Sequence, residues 1–346
     1  MSEPTILSQI AKIRNFEKGH RASQVINTGF RFGILAALAD SLEGLTVPEL
    51  ALKLMLYEPF LRVWCQTAYH FEILDCDQQG RFKLQDYLDE VLGLTLPFPH
   101  PGQSTESHLG RPQPNEGDDP LSRYIRTGHA GYSPNIPEMS LERCRATKSI
   151  FTIFQAMIFP LQKDLENRLA EGCDYLDIGC GSGQLVMDFA KRFKKSTFTG
   201  VDPDPYGIEQ AEQGIIELGL DNRVAVANMG GEEMDFTDKF DLAGMVLTLH
   251  EILPDVRLAA LCKTFQALKK GGCLLILDYP YPGRLEDFRN PRFEYGIVEQ
   301  YFEAMGGIVH IPREEQDHLL FEAGFTSIES ITVAEGGMMD FLTARK

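Results

Sequence analysis

Three glycines and two aspartates in the second half of the chain have the spacing of a nucleoside cradle. In Leu176-Asp177-Ile178-Gly179-Cys180-Gly181-Ser182-Gly183, the glycines at 179, 181 and 183 stand where an expected strand turns into an expected helix. A side chain there would hold a ligand off the backbone, and glycine removes that obstacle. Asp202, with Pro203 beside it, follows Gly183 by 19 residues, at the end of the next expected strand. A carboxylate in that place can accept both hydroxyls of a ribose. Asp177 precedes the first glycine by two positions, where it can meet a cationic amino-acid end directly or through water. Dinucleotide sites share the strand–glycine–helix–acid logic but favour GxGxxG, which seats a pyrophosphate. This chain has GxGxG.

A second cluster lies in Val246-Leu247-Thr248-Leu249-His250-Glu251. Ligands of open α/β sheets bind beyond the carboxyl ends of the strands, so His250 is placed near a reacting group. A near-neutral imidazole can take the proton of a hydroxyl as it attacks. The alternative is a histidine that lines the pocket or holds the loop, and the residues alone leave both open.

The elements that must position these groups alternate in type. Strands are expected at Tyr175–Ile178, Thr197–Val201, Val224–Ala227, Leu242–Leu247 and Cys273–Leu277, with amphipathic helices between them. Ser327–Val333 and Met338–Ala344 read as two closing antiparallel strands. That alternation predicts an α/β fold, a parallel sheet covered on both faces. Leu176-Asp177-Ile178-Gly179-Cys180-Gly181, then Gly200-Val201-Asp202, then Lys269-Lys270-Gly271-Gly272, resembles the class I S-adenosylmethionine (SAM)-dependent methyltransferases from about residue 172 to 346. The resemblance implies a seven-stranded Rossmann-like domain that binds SAM and releases S-adenosylhomocysteine (SAH), with no metal. It implies that Leu247 and Thr248 line the methionine side of the cofactor. The family places an acid after the third strand to contact adenine; Gly230 stands there instead, leaving Met229 and the backbone near Gly230 to read the ring. The histidine segment is similar to the LHDW stretch of small-molecule O-methyltransferases, whose histidine is the base. Here Glu251 follows the histidine and Ile252 replaces the tryptophan.

Upstream, residues 21–40, Thr46–Leu54 and Pro59–Leu74 read as helices. A hairpin follows at 73–84, so residues 1–92 are expected to be a mainly helical, winged-helix-like domain. In the O-methyltransferases that domain dimerises, which implies a homodimer. Between 41 and 92 four basic residues face nine acidic ones, and the whole chain carries −17. Nucleic acid is thereby disfavoured as a partner, and a SAM-binding DNA regulator with it. Residues 93–120 are a proline-rich linker. From 121 to 170 the texture is helical again and locally basic, a solvated face or a lid offering Tyr124, Arg126, Tyr132 and Arg143 to an anionic acceptor. The catalytic domain is expected over 171–346, its insertion Tyr279–His310 forming another wall. Seven dispersed cysteines without a CxxC pair argue against disulfides and zinc. No run is long and apolar enough to span a membrane, and the first residues lack a signal-peptide core, so the cytoplasm is the expected location. The general layout is similar to bacterial methylthiohydroxybutyrate S-methyltransferases of dimethylsulfoniopropionate synthesis. The acceptor implied is thus a small molecule methylated on oxygen or sulfur, with carbon as a further alternative.

Overall fold

The structure is a computed structural model, and it describes residues 5–94, 119–129, 136–333 and 338–346. Most of the proline-rich 93–120 segment and Tyr132 lie outside the described residues, as does the side chain of Arg143. The chain divides into two compact units: Met1–Tyr132 with Arg284–Gly306, and Ser133–Gly283 with Gly307–Lys346. Among the described residues no helix is long and apolar enough to cross a membrane.

The first unit is mainly helical. Ile6–Arg31 and Ile34–Ala39 are separate helices because Gly33 turns left-handed between them, at φ 71°. The Thr46 hydroxyl and Glu49 carboxylate cap Val47–Leu54 reciprocally. Glu49 also takes both arms of Arg81, 2.8 Å each, from the hairpin of β1 (Leu74–Cys76) and β2 (Phe82–Leu84). The helix Glu58–His70 turns its stripe of Phe60, Leu61, Trp64 and Cys65 inward, and the Trp64 indole donates to the Val25 carbonyl at 3.0 Å. The insertion 284–306 belongs to this unit. Tyr301 donates to Thr28 Oγ1 at 2.8 Å, His70 Nδ1 donates to the Phe288 carbonyl at 2.7 Å, and Arg289 holds Asp75 and the Leu74 carbonyl. Large apolar side chains left exposed in this unit include Ile13, Phe16, Leu42, Leu52, Met55, Tyr87 and Val91.

The second unit is built on seven strands: β3 (Asp174–Ile178), β4 (Thr197–Asp202), β5 (Val224–Asn228), β6 (Phe240–Val246), β7 (Leu268–Asp278), β8 (Thr326–Val333) and β9 (Met339–Arg345). Their order is β5-β4-β3-β6-β7-β9-β8, parallel from β5 to β7, with β9 antiparallel to both neighbours. Alternate residues feed two cores, as the two-residue period of a strand requires. Tyr175, Phe198, Leu275 and Phe341 pack with Phe154 and Phe189 on one face. Leu176, Met245, Ile276 and Leu342 pack with Leu261 and Phe325 on the other. From β3 the chain proceeds to β4 on one side and later to β6 on the other. That reversal opens a crevice at the carboxyl ends of β3 and β6, the usual binding place in an open α/β sheet.

Candidate active site

Five strand ends supply the site. After β3, Gly179, Gly181 and Gly183 all lie in the left-handed region, at φ 75°, 52° and 68°, which only glycine adopts freely. The loop is pinned from below by the Val201 carbonyl, which accepts from Gly179 N at 2.8 Å and Cys180 N at 3.1 Å. A side chain on Gly179 would run into Thr248, while the position a Cβ would take on Gly181 is open space.

Asp202 closes β4. Its Oδ2 accepts from Gly181 N and its Oδ1 from Asp204 N, both at 2.8 Å. Pro203 beside it is exposed. Asp177 is buried on β3, and burial, reinforced by the charge of Asp202, pushes its carboxyl up to about 8. A buried acid so disfavoured as an anion suits a cationic ligand group, whose charge would restore it. The glycine turn, the ribose acceptor and this acid together fit the nucleoside and amino-acid ends of SAM.

Beyond β5, Met229 N donates to the Asp202 carbonyl at 3.1 Å, and Gly230 N to Glu233 Oε2 at 2.8 Å. An acid stands close to position 230 in space, two residues further on in sequence. A Cβ on Gly230 would fall 2.5 Å from Glu232 Oε2, so the Glu232 carboxylate folds back over the glycine. Sequence spacing hid this residue, because the short 3-10 turn Gly231–Glu233 brings it back.

Beyond β6 the backbone is strained. Leu247 sits at φ 54°, a conformation costing a non-glycine residue roughly 1–2 kcal/mol. The twist turns Thr248 onto Gly179, and the following tight turn carries His250, which is buried. Its Nδ1 lies 2.6 Å from Asp278 Oδ1, at the end of β7. Asp278 also accepts from His250 N at 3.3 Å and from Tyr279 N at 2.8 Å. Burial pushes the Asp278 carboxyl up, but the charge and hydrogen bond of His250, the charge of His310 and the Tyr279 amide outweigh it. The carboxyl is therefore held below its ordinary range. An ionised carboxylate only accepts, so Nδ1 carries the proton of this bond. The His310 ring stacks on His250 at 4.4 Å and 29°.

The acid hydrogen-bonded to His250 is Asp278, while Glu251 is exposed on the turn. Asp278 was open to discovery from sequence: it ends the strand adjacent to the one that precedes His250. Of the residues offered to an acceptor, Tyr124 is a core residue of the first unit, edge-on to Tyr57 and Phe60 with ring centroids 5.8 and 6.0 Å away. Arg126 is exposed there, its guanidinium 6.0 Å from the Phe32 ring. The expected helical segment 121–170 is divided between the two units.

Residues 176–272 match the protein family described as Methyltransferase domain. Over those residues the chain has the sequence of a methyltransferase domain. A ribosomal protein L11 methyltransferase of Thermosipho africanus is 30% identical over 139 residues, covering 40% of this chain and 48% of that protein. The chain spans about half the length of the curated relatives it matches. Among solved structures, an O-methyltransferase family 2 protein of Planctomyces limnophilus, in complex with apigenin, superposes with a TM-score of 0.68 at 16% identity. That match covers 97% of this chain and 96% of the other. Human N-acetylserotonin methyltransferase in complex with SAM gives 0.50 at 15% identity, covering 100% and 99%. These matches extend the likeness in fold from the methyltransferase domain to the N-terminal helices.

Proposed function

We propose that this chain transfers a methyl group from SAM to the hydroxyl oxygen of a small, anionic metabolite, releasing SAH. The observation that carries this reading is the buried His250–Asp278 pair, 2.6 Å apart at the ends of adjacent strands beside the glycine turn. SAM supplies an electrophilic methyl when bound. Asp177 would hold its amino-acid end, the backbone of Gly179–Gly183 would allow its close approach, and Asp202 would take the ribose. Met229, Gly230 and Glu232 would meet adenine, and Leu247 and Thr248 the methionine side. His250 Nε2 accepts the hydroxyl proton as oxygen attacks, and Asp278 fixes the ring and stabilises the imidazolium. A positioned base of this kind contributes roughly 10²–10⁴-fold. The basic stretch of sequence with Arg143 and Arg145, in the second unit, supports an anionic acceptor.

The acceptor 4-methylthio-2-hydroxybutyrate tests the choice of atom, because it carries both a hydroxyl and a thioether. A thioether has no proton to lose, so the His–Asp pair would have no proton to take. Incubation with SAM, followed by mass and NMR analysis of the product, is expected to favour the methyl ether over the sulfonium. A sulfonium product would overturn the oxygen assignment and leave methyl transfer standing.

The exposed Leu42, Leu52, Met55, Tyr87 and Val91 support a homodimer formed through the first unit. The stripe on Glu58–His70 is spent on the unit's own core. Light scattering of the full chain should report a dimer, and Leu52→Glu with Met55→Glu should yield monomers. A wild-type monomer at micromolar concentration refutes this assembly.

A further inference from the structure

Arg257 is 2% exposed on the first turn of the helix Pro254–Ala267. Its Nε donates to the Ile252 carbonyl at 3.0 Å. One terminal nitrogen, Nη2, donates both to the His250 carbonyl at 3.0 Å and to the Val309 carbonyl at 2.7 Å. Burial pulls the guanidinium pKa down, while Glu315 and Asp278 raise it through space. A buried cation held by main-chain carbonyls is a poor stabiliser, since an apolar side chain of similar volume is often neutral or better. What the arrangement secures is geometry. His250 and Ile252 belong to the turn after β6, and Val309 directly precedes His310 in the loop before the helix Arg313–Glu322. The same nitrogen therefore ties together the two backbone segments whose imidazoles stack. Beyond His310 stands Tyr281, its ring centroid 5.6 Å away, so the pair is backed by an aromatic wall.

We infer that Arg257 is a positioning residue, one that fixes His250 against His310 by clasping the carbonyls of His250 and Val309 with a single nitrogen. The assignment rests on the methyl-transfer reading for its purpose, but the clasp itself is tested without an acceptor. The full chain is labelled with ¹³C and ¹⁵N in histidine, and His250 and His310 are assigned from His250→Asn and His310→Phe. Spectra are then taken with and without SAH. Stacked rings shift one another's ring-proton signals. In Arg257→Met that mutual shift is expected to vanish for both rings, while the exposed His318 stays in place and SAH affinity, read by calorimetry, is unchanged. Arg257→Lys keeps the charge but loses the planar fork, and should move the pair part of the way. Unchanged His250 and His310 signals in Arg257→Met would overturn the assignment. So would movement of His318 along with the pair, which would mark general loosening of the unit. If Arg257→Met does not fold, Arg257→Lys decides by the same criteria. Wild-type protein that fails to bind SAH would instead refute the methyl-transfer reading, and the ring signals of the ligand-free chain would still decide the clasp.

Discussion

Gly179 and Thr248 touch across the crevice between β3 and β6, leaving no room for a Cβ on the glycine. The contact couples the cofactor loop to the turn that carries His250. Gly179→Ala should therefore do more than strain the backbone at φ 75°. Overpacking and the left-handed conformation together should cost roughly 2–5 kcal/mol of stability. SAH binding should fall with it. Gly181→Ala meets open space and should cost only the conformational part, about 1 kcal/mol, while still excluding ligand. Thermal melts paired with SAH calorimetry separate the two, and equal losses of stability would break the argument.

Asp202 acts on the loop itself, because its carboxylate anchors Gly181 N and Asp204 N. Asp202→Ala should weaken SAM and SAH by about 1.5–3 kcal/mol, the range for a hydrogen bond to a charged group. Calorimetry returning wild-type affinity for both ligands would remove the ribose from this position.

The raised carboxyl of Asp177 makes stability depend on pH in a defined direction. The folded chain holds this proton up to about 8, whereas the free side chain gives it up near 3.8. Between these values the unfolded state binds fewer protons, so stability of the ligand-free protein should fall as pH rises and level off above about 8. A cationic ligand favours the carboxylate, so binding should expel a proton in the same window and tighten as pH rises. Asp177→Asn should flatten both trends. Melting curves across pH, and calorimetry in buffers of different ionisation enthalpy, read the two effects. A pH dependence of stability that survives Asp177→Asn would locate it elsewhere.

With a hydroxyl acceptor in hand, His250→Ala and Asp278→Asn should each lower the single-turnover rate by about 10² or more. SAM affinity should stay near wild type in both. Asp278→Asn keeps a hydrogen bond but loses the charge that stabilises the imidazolium, so combining the two changes should cost little beyond His250→Ala alone. Additive losses would mean that Asp278 does not act through His250.

How much of this was legible beforehand differs between the two units. Each of the seven strands lies within a few residues of its expected span, because buried parallel strands are short apolar runs bounded by turn residues. Gly179, Asp202 and His250 were readable because each sits at a strand end, where position in the chain nearly specifies position in space. Asp278 and Arg257 were not singled out, since their roles depend on partners 28 and 7 residues away in sequence. Glu232 was concealed by one short turn. That residues 284–306 of the insertion Tyr279–His310 belong to the first unit was hidden for a related reason: Tyr301 and Arg289 have partners more than 200 residues earlier, at Thr28 and Asp75. No local pattern carries that information.

The position of β9 between β7 and β8 imposes an order on biosynthesis. β7, which ends in Asp278, pairs on one side with β6 and on the other with Met339–Arg345, Asp278 itself lying opposite Asp340. On a ribosome the glycine loop, Asp202 and His250 all emerge well before that last neighbour exists. Until Arg345 has cleared the exit tunnel, β7 is an open apolar edge and the carboxylate that steers His250 rests on an unfinished sheet. A nascent chain can thus display the glycine turn, Asp202 and His250 while the His250–Asp278 pair still awaits a strand more than 60 residues downstream.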